Sequence, residues 1–133
     1  RRFLLPGLQR EVELAHAADA KFGYLLTSKA MPLIDGIIEA GVDVLVGVDP
    51  REYELVELKE KTRGKLCLWG GVNGHLTVEM GTPEEVRAEV ERAMEKLAPG
   101  GGLILSPVDN VRQDSPQIKT NVAALIETWQ MTR

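Results

Sequence analysis

The sequence predicts an α/β fold: a leading helix, then four consecutive strand–helix units with a parallel sheet, half the number that closes a (β/α)8 barrel. Three observations predict this. Apolar runs of strand length alternate with segments whose apolar residues recur every three or four positions. The strand runs are near-continuous rather than alternating, the pattern of strands buried on both faces under helices. A closed barrel needs eight such units in about 250 residues, and only four are present in 133 residues. Half a barrel must pair with another half, open into a flat sheet, or belong to a longer chain.

Each element has its own signal. Leu8, Val12, Ala15, Ala18 and Phe22 mark one face of the leading helix, and Gly23 ends it. Residues 24–27 form a short apolar strand. Pro32 suits a first helical turn, Leu33, Ile34, Ile37 and Ile38 make the next stripe, and Gly41 is a natural helix terminator. Residues 42–48 are the second strand, stopped by Asp49-Pro50, and the helix carrying Leu55, Val56 and Leu58 ends at Gly64. Residues 66–72 are the third strand, with a Gly- and Asn-rich loop expected over residues 70–74. Thr82, Pro83 and Glu85 spell a capping box ahead of a helix that buries Val86, Val90, Ala93, Met94 and Leu97. Residues 103–105 are the fourth strand. Ser115-Pro116 opens the last helix, with Ile118, Val122, Leu125, Ile126 and Trp129 expected inward.

Composition narrows the function classes. The chain is 44% apolar and 27% charged, which excludes disordered and collagen-like classes. With 20 acidic against 16 basic residues and no dense basic block, neither a nucleic acid nor a membrane surface is the expected partner. No apolar run approaches the ~20 residues that span a bilayer. The single cysteine, Cys67, excludes an internal disulfide and fits a cytoplasmic setting. The chain does not begin with Met, and the expectation is that it is a piece of something longer.

Several stretches resemble the uroporphyrinogen decarboxylase superfamily, in order and with family-like spacing. These are Pro32-Leu33-Ile34-Asp35, Ile38-Glu39-Ala40-Gly41-Val42-Asp43-Val44-Leu45, Lys65-Leu66-Cys67-Leu68-Trp69-Gly70-Gly71-Val72, Gly81-Thr82-Pro83-Glu84-Glu85-Val86, and Pro99-Gly100-Gly101-Gly102-Leu103-Ile104-Leu105-Ser106-Pro107. The resemblance implies a single domain over residues 1–133, the C-terminal half of a (β/α)8 barrel, with its parallel strands in sequential order. It implies two activities for the parent: cofactor-free removal of acetate carboxyls from a tetrapyrrole, or corrinoid-dependent methyl transfer with a zinc-activated thiol. The zinc ligands of the methyltransferase branch, a His-x-Cys pair and a later Cys, fall on Leu25, Thr27 and close to Asp109, so all three are missing and no metal or cofactor is expected. The decarboxylase branch carries a His in an Asn-x-Gly-His-Gly segment after the eighth strand, and Asp109 of Ser106-Pro107-Val108-Asp109-Asn110 stands in its place.

Position then selects the candidates. In a β/α barrel the working face is built from the loops at the C-terminal ends of the strands. Those loops hold Ser28 and Lys29, Asp49, Asn73 and His75, and Asp109, Asn110 and Arg112. His75 and Asp109 are the candidate catalytic pair, and Ser28, Lys29, Asn73, Asn110 and Arg112 the candidate contacts for a small carboxylated substrate. The competing structural reading is turn and cap chemistry, favoured for Asp49 and Ser28. Gly70-Gly71-Val72-Asn73-Gly74 fits no phosphate-cradle pattern. His16 reads as a surface or packing residue, and Trp69 and Trp129 as core.

Three architectures remain: the C-terminal half of a longer decarboxylase-like barrel, a non-catalytic half-barrel that dimerises through its exposed edges into a homo-oligomer, and a doubly wound open sheet with a swapped first strand pair.

Overall fold

A computed structural model of the chain describes residues 4–133. Helix α1 (Leu5–Ala17) leads into β1 (Gly23–Leu25). A short 3-10 turn (Met31–Leu33) runs into α2 (Ile34–Glu39), followed by β2 (Val44–Val48), α3 (Leu55–Thr62) and β3 (Cys67–Asn73). A π-helical turn (Gly74–Glu79), α4 (Pro83–Leu97), β4 (Leu103–Val108) and α5 (Pro116–Thr132) complete the chain. The four strands pair parallel in the order β1-β2-β3-β4. The half-barrel order predicted from the sequence is therefore present, and the swapped order of a doubly wound sheet is not.

The helices bury one face of the sheet. Leu45 and Leu68, opposite each other in the β2–β3 register, are fully buried with Ile34, Leu55 and Leu58. A second cluster joins Val72, Val78, Val86, Val90 and Ala124, fixing α4 and α5 over β3. Leu97 completes the first cluster from the far end of α4. Each buried Leu or Val contributes about 1.5–3 kcal/mol of transfer free energy.

The other face is open. Leu25, Val46, Trp69 and Ile104 are register partners in one row across all four strands. Leu25 is 64% exposed, and Trp69 and Ile104 are each 42% exposed. The apolar runs that promised burial on both faces thus have only one face covered within this chain, and Trp69 is not a core residue here.

Local chemistry sets the boundaries. Thr82 and Glu85 form the expected reciprocal capping box at the start of α4, and Ser115 caps α5 by accepting the Ile118 N–H. The stretch expected as a loop, residues 70–73, is strand, because β4 runs on to Val108 and gives Gly71, Val72 and Asn73 partners. Gly70 makes this pairing feasible. Its φ is +146°, and a Cβ there would lie 2.5 Å from the Val48 carbonyl oxygen, beside the register shift between Val46 and Val48. In α5 the buried face runs through Ile118, Asn121, Ala124 and Thr128, and Ile126, expected inward, is exposed.

At the opposite end of the sheet, Asp43 ties α1 to the start of β2. It accepts the Phe22 N–H at 2.9 Å, Lys21 Nζ at 2.9 Å and His16 Nε2 at 2.7 Å. His16 is therefore an exposed structural partner of Asp43. Cys67 opens β3 at this same end, away from the C-terminal rim.

Candidate functional site

The C-terminal ends of β2, β3 and β4 meet in one hydrogen-bonded network. Asn73, the last residue of β3, is its hub. Asn73 Nδ2 donates to Asp49 Oδ2 at 2.8 Å, Oδ1 accepts the Leu76 N–H at 2.6 Å, and the Asn73 N–H is given to Glu89 Oε1 on α4. Asp49 also receives the Arg51 N–H at 2.9 Å on its other oxygen, so it braces an Asx-type turn rather than capping α3. Thr77 donates its hydroxyl to Glu89 Oε2 at 2.7 Å. All of the amide's bonding capacity at Asn73 shown by these contacts is internal, and the residue is buried.

The π-helical turn presents the chemistry. Gly74 permits its approach, because a Cβ there would collide with the Val108 carbonyl oxygen at the end of β4. The turn places His75 and Glu79 one above the other. His75 Nδ1 lies 2.8 Å from Glu79 Oε2, and Glu79 Oε1 accepts the Arg112 N–H from the segment after β4. The Arg112 guanidinium lies 3.9 Å from Glu79 Oε2 and 3.2 Å from His75 Nδ1. The Glu79 side chain is 2% exposed, those of His75 and Arg112 46% and 67%.

The electrostatics follow from this geometry. The Arg112 N–H and the His75 imidazole hold the Glu79 carboxyl below its ordinary value of 4.5, outweighing the burial that acts the other way. An ionised Glu79 can only accept, which favours the proton on His75 Nδ1, and the Arg112 guanidinium, a donor only, then makes no hydrogen bond to that atom. The lone pair of neutral His75 is then on Nε2, clear of the carboxylate.

The structure thus forms two sets on this rim, His75 with Glu79 and Arg112, and Asn73 with Asp49 and Glu89. Asp109 and Asn110 are exposed on the same rim, Asp109 in the left-handed region at φ +67°. Ser28 and Lys29 are exposed beyond β1. The Ser28 carbonyl accepts the Tyr53 hydroxyl at 3.2 Å, and Ser28 caps no helix. Sequence reasoning missed Glu79 and Glu89. The four-residue step from His75 to Glu79 was a readable signal, the spacing of one helical face. Glu89 carried none, since an acid on an amphipathic helix ordinarily faces water.

A family sequence model described as "Uroporphyrinogen decarboxylase (URO-D)" matches residues 1–131. The chain belongs to the URO-D family. No curated protein matches the sequence. Among solved structures, a methyltransferase from Methanosarcina mazei is similar, with a TM-score of 0.73 and 23% sequence identity over 97% of this chain. At that identity the likeness shows the fold. This chain spans only 36% of that protein's length.

The positions to which the resemblance assigns the methyltransferase branch's zinc ligands carry Leu25 and Thr27 and lie close to Asp109, and a hydrocarbon, a hydroxyl and one carboxylate do not fit a metal that needs thiolate and imidazole. Among the described residues no group of three or more His, Cys, Asp or Glu could hold a metal ion. Among the same residues, no helix is long and apolar enough to cross a membrane.

Proposed function

We propose that this chain is the C-terminal half of a URO-D-family β/α barrel, and that its strand-end rim binds a small carboxylated molecule. The observation that carries the reading is the His75–Glu79–Arg112 constellation. Arg112 offers a guanidinium to a substrate carboxylate. Glu79 fixes the imidazole, leaving Nε2 to exchange a proton with the substrate. Asp109 is a second acceptor on the rim. In a decarboxylation the C–C bond breaks, CO2 leaves, and the electron pair left on carbon takes a proton. A protonated His75 can deliver that proton from Nε2. Asn73 and Asp49 position the turn that carries His75.

The open face is proposed to be closed by a preceding segment rather than by a second copy. A closed β/α barrel has one helix per strand. Here five helices accompany four strands, with α1 entering the core that holds Ile37 and Val42 through Val12, and α5 following the last strand and packing on α4. Two copies would bring α5 of one and α1 of the other to the same seam. A segment that begins and ends on a strand, with four strands and three helices, completes the ring without that conflict.

Binding by the full-length protein tests the site. A thermal-shift series with porphyrinogens and simple carboxylic acids should give a stabilising ligand, with the shift lost in Arg112→Ala and the affinity changed in His75→Ala. A stabilising ligand indifferent to both substitutions would place the site elsewhere.

A further inference from the structure

We propose that a cavity on the outer side of the same rim is a binding site for a small oxyanion, either a carboxylate or a phosphate group. This goes beyond the His75–Glu79–Arg112 constellation and uses different cations. The cavity holds about 320 Å³ between the β2–α3 turn, the π-helical turn and α4, and Arg51, Thr77, Glu85, Glu89 and Arg92 line it. Neither the Arg51 nor the Arg92 guanidinium has an ion pair or hydrogen bond among the described residues. Glu89 receives the Asn73 N–H and the Thr77 hydroxyl on its two oxygens, and Glu85 receives the Thr82 N–H on one oxygen in the capping box. The two guanidiniums balance these two carboxylates, and their unpartnered N–H groups are the donors an incoming anion meets.

The wall is built in advance. The Arg51 backbone is pinned through its N–H to Asp49, Asp49 is held by Asn73, and Asn73 by Glu89. Little of the surrounding backbone needs ordering when an anion enters. Leu76 and Ala88 add an apolar wall that suits a ligand with a short hydrocarbon body beside its anionic group.

Isothermal titration of the protein at low ionic strength, with inorganic phosphate in one arm and malonate in the other, tests this. The expected result is saturable binding in at least one arm, and the arm that responds names the anion. Arg51→Gln and Arg92→Gln should each weaken it about tenfold or more, the loss of one charge-assisted contact. His75→Ala and Arg112→Ala should leave it within about twofold, with folding of every variant checked by circular dichroism. Absence of saturable binding in both arms would overturn the proposal. So would binding that survives both arginine substitutions, or binding lost in Arg112→Ala alone, which would assign it to the His75–Glu79–Arg112 constellation.

Discussion

At the scale of single residues, two carboxylates organise opposite ends of the sheet. Burial pushes the Asp43 carboxyl up, but the Phe22 N–H, His16 and Lys21 together pull it well below its ordinary value of 3.8. Glu79 is held low by Arg112 and His75. Both acids have folded-state values below their unfolded ones, so the folded state binds fewer protons. Their contribution to stability is present above about pH 5 and is lost as the pH falls through the folded values. Asp43→Asn should therefore cost about 1–2 kcal/mol at pH 7, tempered by the exposed His16 and Lys21 ends, and less at pH 3, where the unfolded carboxyl is already largely protonated while the folded one stays ionised. Urea midpoints at the two pH values check this, and an equal loss at both would contradict it. Glu79 makes a separate prediction. Nitrogen NMR of neutral His75 should show the proton on Nδ1, and Glu79→Gln should weaken that preference. With His16 as the other histidine in the chain, assignment is direct. A proton found on Nε2 in the wild type would undo the proposed orientation of the base.

At the scale of elements, the sequence was most readable where local chemistry and burial agree. Thr82, Pro83 and Glu85 marked the start of α4 because a reciprocal cap needs those residue types at that spacing. Thr82→Ala should cost about 1 kcal/mol in chemical denaturation. Leu68→Ala, at a fully buried site on β3, should cost about 2–5 kcal/mol by the same measurement. The third strand was read short for a physical reason. Gly70, Gly71 and Asn73 look like loop residues, yet the partner strand β4 supplies their ladder, and Gly70 is needed where the β2 backbone comes too close for a side chain. The candidate site was half legible. His75 and Arg112 were found from their place after strands. Glu79 and Glu89 were not, because a carboxylate that folds inward to collect N–H and hydroxyl donors looks in sequence like one that faces water. Asn73 was found, but its amide braces the turn from within.

At the scale of the whole molecule, the sheet is defined by what does not cover it. The helices bury Leu45 and Leu68 on one face, while the row of Leu25, Val46, Trp69 and Ile104 lies open on the other. This is why apolar runs suited to burial on both faces coexist with a half-exposed tryptophan. The proposed function takes that face as the lining of a ring completed by a preceding half. Trp69 reports on it directly, since Trp129 is the only other tryptophan and can be replaced by Phe. The decisive comparison is Trp69 emission and acrylamide quenching in a Trp129→Phe background, for this chain alone and for the full-length protein. A half-barrel completed by its preceding segment predicts red, readily quenched emission in the chain alone and blue-shifted, protected emission in the full-length protein. The same emission and the same quenching in both would contradict it.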